Sequence, residues 1–135
     1  MKDIISKQQL FPHPISKIWK AISDGAQISS WFIQADFKPE VGYQYTFTHE
    51  KTVIKGEVIT AKPVTTLVYT WRIEGTEVVT TVSWKLEESG SGTLLTLEHS
   101  GISKYPGESA VMMFNNFDGG WASCISNLEK FLTGN

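Results

Sequence analysis

Residues 112–131 read MMFNNFDGGWASCISNLEKF, and the way this stretch folds decides the rest of the chain. Phe114, Phe117, Trp121, Ile125, Leu128 and Leu132 recur three or four positions apart, which is the spacing of one face of an α-helix. Gly119 and Gly120 stand side by side inside that pattern. Each should weaken a helix interior by about 1 kcal/mol relative to alanine, so the pair gives up roughly 2 kcal/mol. Two readings are open. One is a continuous helix that bends, or comes close to its support, at the glycines. The other starts a helix at Gly119 with Asp118 as its cap and leaves 110–117 as a separate turn.

Working outward, residues 37–100 alternate as strands do. YQYTFTH (43–49) sets Tyr43, Tyr45 and Phe47 on one side, and TVIKGEVITA (52–61) follows up to Pro63. TTLVYTWRI (65–73) aligns Leu67, Tyr69, Trp71 and Ile73. TEVVTTVSWKL (76–86) aligns Val78, Val82, Trp84 and Leu86, and TLLTLEH (93–99) ends the run. Glu74-Gly75 and Glu88-Ser89-Gly90-Ser91-Gly92 read as tight turns, so these segments predict an antiparallel meander of about five strands. Upstream, IISKQQLF (4–11) is a first strand. Pro14 suits the first turn of a helix carrying Ile15, Ile18, Trp19 and Ile22 on one face, and Asp24 caps a second short helix reaching Trp31-Phe32. Strand, two short helices, a run of strands and one long helix make a single α+β domain over 1–135, with the last helix laid across a strongly curved antiparallel sheet.

Bulk properties bound what such a domain does. The 135 residues suffice for one core, and 41% hydrophobic with 19% charged residues is a globular composition. Net charge is −2 and the twelve Lys and Arg are scattered singly, so no basic stripe offers itself to nucleic acid. Cys124 is the only cysteine, which excludes an internal disulfide. MKDIISKQQLF lacks the apolar centre of a secretory signal. The longest apolar run, Ala110–Phe114, falls far short of the roughly 20 residues that span a bilayer. A cytoplasmic protein without membrane insertion is expected.

The segment Pro14-Ile15-Ser16-Lys17-Ile18-Trp19-Lys20-Ala21-Ile22 with Trp31-Phe32, and the element order, resemble the opening of SRPBCC domains. This is the helix-grip superfamily that includes START lipid-transfer domains and the birch-pollen allergen. Gly42, Gly56-Glu57-Val58, Thr96-Leu97-Glu98-His99-Ser100-Gly101, and Gly120-Trp121 with Leu128 seven residues on, are similar to the branch named after the activator of the heat-shock-protein-90 ATPase. The resemblance implies a hydrophobic cavity between the C-terminal helix and the sheet. It makes Trp31, Phe37, Tyr45, Phe47, Tyr69, Trp71, Trp84, His99, Met113, Phe117 and Trp121 the candidate lining. Met112, Met113 and Phe117 would sit at an adaptable mouth. Members of the superfamily bind lipids, flavonoids or polyketides, and some are cyclases or hydrolases.

The residues themselves assemble no catalytic set. His13, His49 and His99 lack metal-site spacing, and no phosphate-cradling glycine loop occurs, so no metal or cofactor is expected. Gly90-Ser91-Gly92 has strands on both sides and is a hairpin turn rather than a nucleophile elbow. Cys124 reads as a small buried thiol. Glu57, Arg72, Glu98 and His99 are the strand-borne ionisable groups that could turn inward, and parity allows at most one of Glu98 and His99 to do so. His99 is either a polar contact inside the cavity or a histidine satisfied by backbone at the strand's end.

Three functions follow. The first is binding of a hydrophobic small molecule (lipid, flavonoid or polyketide-like) without catalysis. The second is a co-chaperone-type module stimulating a heat-shock ATPase, although the chain has no room for the extra domain of the full eukaryotic activator. The third is a small cyclase or hydrolase using the same cavity. A monomer or a weak homodimer fits each of them.

Overall fold

The computed structural model describes residues 3–134. β1 (Ile5–Phe11) leads into helices α1 (Ile15–Ser23) and α2 (Gly25–Trp31). Six strands follow: β2 (Gln34–Asp36), β3 (Gln44–His49), β4 (Thr52–Lys62), β5 (Thr66–Ile73), β6 (Thr80–Ser89) and β7 (Gly92–Ser100). A 3-10 turn at Ile102–Lys104 precedes the last helix, α3 (Ser109–Thr133). The sheet has seven strands in the order β1-β7-β6-β5-β4-β3-β2, and every neighbouring pair is antiparallel. It is an α+β helix-grip architecture.

Two differences from the sequence reading have local causes. β2 spans only three residues, too few for a period-two pattern to show. β6 begins at Thr80 rather than Thr76 because Arg72 Nη1 donates to the Thr76 carbonyl at 3.2 Å and Thr76 Oγ1 donates to the Ile73 carbonyl at 2.8 Å. Those bonds, with Gly75 at φ +98°, hold the chain in a turn, so Val78 lies in the connection and not on the strand.

Alternation decides the concave face. Tyr45 and Phe47, Leu67, Tyr69 and Trp71, Thr80, Val82, Trp84 and Leu86, and Leu95, Leu97 and His99 are all buried, while their sequence neighbours on each strand are not. Gly56 shows how tightly this face is assembled. A Cβ there would stand 2.0 Å from the Thr70 carbonyl oxygen and 2.7 Å from the Tyr45 ring, so only glycine lets β5 approach while Tyr45 lies across β4.

At one end of the bowl α1 and α2 are locked together. The Asp24 side chain accepts from Gln27 N at 3.1 Å, and Trp31 Nε1 donates to the Ala21 carbonyl at 2.9 Å. α3 runs unbroken through both glycines, so the helix is continuous as in the first of the two sequence readings, but neither glycine comes close to a neighbouring element. Asp118 does not cap a helix; it pairs with Lys7 on β1 at 2.8 Å. Lys17 Nζ donates to the Leu132 carbonyl at 2.8 Å and so occupies an otherwise orphaned acceptor in the last turn of α3.

Gly56→Ala should lower stability by about 2 kcal/mol through overpacking against β5. A urea denaturation midpoint equal to that of the wild type would contradict this placement.

Candidate functional site

The buried stripe of α3 that faces the sheet is Trp121, Cys124, Ile125, Leu128 and Leu132. Trp121 is 3% exposed and packs on four rings. Its centroid distances are 5.8 Å to Phe32, 5.3 Å to Trp71, 5.9 Å to Trp84 and 5.9 Å to His99. Its Nε1–H donates to His99 Nδ1 at 2.9 Å. With Nδ1 accepting, the ring proton of a neutral imidazole sits on Nε2, 2.6 Å from Thr80 Oγ1, and the Thr80 hydroxyl donates to the Trp71 carbonyl at 3.2 Å. One directional chain thus joins α3, β7, β6 and β5, with every member satisfied.

His99 is fully buried, and burial lowers its pKa from 6.5 to about 4. Geometry points the same way, since a proton on Nδ1 would face the Trp121 N–H, donor against donor. Glu98, one residue earlier, turns to the other side of the sheet, as parity requires. His99 is therefore satisfied, but by side chains and not by backbone. Both its nitrogens are engaged, so the imidazole holds no free nitrogen for a ligand.

Beside this fastening lies a cleft of about 330 Å³. Its floor is apolar: Phe32, Ile33, Ile54, Trp71, Phe117, Trp121 and Cys124. Its mouth is polar and exposed: His49 and Thr52 from the β3–β4 hairpin face Asn116, Gly120, Ser123 and Asn127 from one flank of α3. Among the described residues the lining holds no Lys, Arg, Asp or Glu. Trp71 is 5% exposed, and its indole N–H is buried with no hydrogen-bond partner among the described residues. Phe117 stands edge to face with it, centroids 6.2 Å apart and planes at 90°.

Of the candidates read from the sequence, Trp71, Phe117 and Trp121 come together in this cleft. Trp31, Phe37, Tyr45, Phe47, Tyr69 and Trp84 are buried core packing, and His99 is buried in the hydrogen-bond chain. Among them, Phe37, Tyr45, Phe47 and Tyr69 form a block with centroid distances of 4.5 to 6.0 Å. Tyr45 donates to the Thr70 carbonyl and Tyr69 accepts from Trp84 Nε1 at 2.9 Å. Burial pushes both phenols and the Cys124 thiol well above their ordinary pKa values. Met113 packs half-buried against the core and Met112 is exposed, and neither lines the cleft. Glu57 is exposed and Arg72 is engaged with Thr76.

Sequence reasoning missed the mouth. Asn116, Ser123 and Asn127 look like any solvated helix flank, although their spacing of seven and four places them on one stripe with Gly120. Among the described residues no three His, Cys, Asp or Glu side chains converge as a metal site, and no helix is long and apolar enough to cross a membrane.

The model of the family described as Activator of Hsp90 ATPase homolog 1-like protein matches residues 12–133. No curated protein matches the chain. Among solved structures, the protein MLL2253 from Mesorhizobium loti is 26% identical and superposes with a TM-score of 0.87, covering 96% of each chain. BH1534 from Bacillus halodurans is 28% identical with a TM-score of 0.81, over 98% of this chain and 97% of that one. DynU16, described as a protein in the dynemicin biosynthetic locus, is 22% identical with a TM-score of 0.86. All of this chain is covered, but it spans only 49% of DynU16, and the likeness there is one of fold.

The lowered pKa of His99 sets a pH dependence. The unfolded chain takes up this proton near 6.5 and the folded one only near 4. The unfolded state therefore binds more protons between those values, and stability falls as pH falls through that window. The shift corresponds to about 3 kcal/mol, fully present above pH 6.5. His99→Leu should flatten the pH 4–6.5 segment of a stability profile and cost about 2 kcal/mol at pH 7, because it orphans the Trp121 N–H. An unchanged profile in that variant would refute the assignment.

Proposed function

The chain belongs to the Activator of Hsp90 ATPase homolog 1-like family, and we propose that it binds an uncharged, largely apolar small molecule in the cleft between α3 and the sheet, without catalysis. The observation that carries this reading is the unfilled apolar floor beneath a polar mouth. Burying a ligand's apolar surface there contributes roughly 25 cal/mol per Å², and the amide and hydroxyl side chains at the mouth can meet its polar end. At about 330 Å³ the space is near the small end of ordinary ligand pockets, roughly 300–1,000 Å³. It suits a body of one or two rings, as in the core of a flavonoid or polyketide, or a short lipid segment.

Charge and hydrogen bonding narrow the class further. Among the described residues the lining holds no Lys or Arg to offset a carboxylate or phosphate on the apolar floor, where burying an unpaired charge would be costly. Trp71 brings the opposite demand: its buried N–H has no acceptor among the described residues, and an orphaned donor costs about 1–3 kcal/mol. A ligand carbonyl or hydroxyl oxygen reaching it, with Phe117 moving aside, would recover part of that. Trp71, Phe117 and Trp121 are the ligand-contacting residues in this reading, and His99 holds Trp121 in position.

Thermal shift and ¹H–¹⁵N NMR test the proposal. The ketone 1-indanone should raise the melting temperature and move the Trp71 indole N–H resonance, whereas 2-naphthoate should do neither. Saturating ligand at a hundredfold excess over Kd should add about 3 kcal/mol of stability. Trp71→Phe should weaken 1-indanone binding about tenfold, the loss of one hydrogen bond to a buried donor. If 1-indanone and a wider set of lipids, flavonoids and polyketides leave both readouts unchanged, the reading is wrong.

A further inference from the structure

The two glycines of α3 are not there for close packing. Apart from the backbone of its own helix turns and its two chain neighbours, a Cβ built on Gly119 or Gly120 meets no atom of the described residues within 4 Å, in contrast to Gly56. Neither has the positive φ that favours glycine, and both sit inside a regular helix, where alanine is the better residue. Their positions differ in one respect: Gly120 lines the cleft and Gly119 does not. On the mouth-facing stripe Asn116, Gly120, Ser123, Asn127, position 120 is the single place without a side chain. Side chains on a helix lean toward its N-terminus, so anything larger at 120 would cover the opening beside Asn116 and Phe117.

We propose that Gly120 is the entry gap of the cleft and its size filter: a ring passes over bare helix backbone there, and the missing side chain sets how large that ring can be. This rests on the reading of the cleft as a ligand site. It accounts for a helix that forgoes stability at a position where no neighbour forbids a larger residue. It also separates the roles of the pair, since only one of the two glycines borders the opening.

The test uses Gly120→Ala and Gly120→Leu, with Gly119→Ala and Gly119→Leu as controls. Both alanine variants should raise the melting temperature of the unliganded protein by roughly 4 °C. Xenon under pressure, followed by ¹H–¹⁵N NMR, reports whether the cleft exists and is reachable by a small sphere. 2-Naphthol reports whether a fused ring enters. The proposal expects xenon to perturb cleft residues in all five proteins. It expects 2-naphthol to bind the wild type and both Gly119 variants alike, Gly120→Ala measurably more weakly, and Gly120→Leu about tenfold more weakly or not at all.

Equal 2-naphthol affinity in the wild type and both Gly120 variants overturns the inference while leaving the cleft reading in place. Wild type that admits xenon but no 2-naphthol also overturns it, because the gap then passes no ring. Absence of any xenon response in the wild type removes the cleft reading and this inference with it. Should Gly120→Leu fail to fold, the Gly120→Ala and Gly119→Ala comparison decides the question.

Discussion

The structure depends on how a helix is held against a curved sheet at one indole. Trp121 lies where Phe32, just past the end of α2, and rings from β5, β6 and β7 converge, and its N–H is spent on a neutral imidazole whose other nitrogen is spent on Thr80. Hydrophobic burial alone would hold α3 down but would leave it free to slide or roll, because apolar contact is non-directional. The chain from Trp121 through His99 and Thr80 to the Trp71 carbonyl fixes depth and rotation together. With rotation fixed, the stripe Trp121, Cys124, Leu128 faces the sheet. The stripe one residue back, Gly120, Ser123, Asn127, is left facing the gap toward the β3–β4 hairpin.

That geometry divides the aromatic side chains into two populations. Phe37, Tyr45, Phe47 and Tyr69 pack one end of the bowl ring against ring, with the Tyr45 and Tyr69 hydroxyls hydrogen-bonded. Around Trp71, Phe117 and Phe32 the filling stops short, and the cleft is what remains. The salt bridges of α3 are peripheral to this. Lys7 with Asp118 and His13 with Glu129 are partly exposed, and such pairs contribute little to stability. The same fold superposes on MLL2253 and BH1534 across nearly their whole lengths, so the helix-on-sheet arrangement is a shared frame.

Much of this frame was legible in the sequence. The three-to-four spacing from Phe114 to Leu132 pointed to a long last helix, and period-two alternation put Tyr45, Trp71 and Trp84 each on one face of its strand. Asp24 announced the second helix. Parity alone separated His99 from Glu98. What could not be read has physical causes. β2 is shorter than the pattern that would reveal it, and the late start of β6 depends on side-chain bonds from Arg72 and Thr76 that have no sequence signature. Whether a buried ring packs or lines a space is a matter of volume left over after folding, which composition does not encode. The polar mouth was invisible because Asn116 and Asn127 meet their opposite rim, His49 and Thr52, only after the sheet has curved. The glycine pair was conspicuous from the start, but its meaning reversed: open space surrounds it where close approach was one expectation.

The account turns on His99 being a neutral imidazole with its proton on Nε2, accepting from Trp121 through Nδ1. Long-range ¹H–¹⁵N correlation of the histidine ring nitrogens over pH 7.5 to 4.5 observes that state directly. The account predicts a protonated Nε2 and an unprotonated Nδ1 for His99, with shifts that stay nearly constant until close to pH 4. An Nδ1–H tautomer, or a ring that titrates near its ordinary value of 6.5, would mean that helix and sheet are joined in some other way.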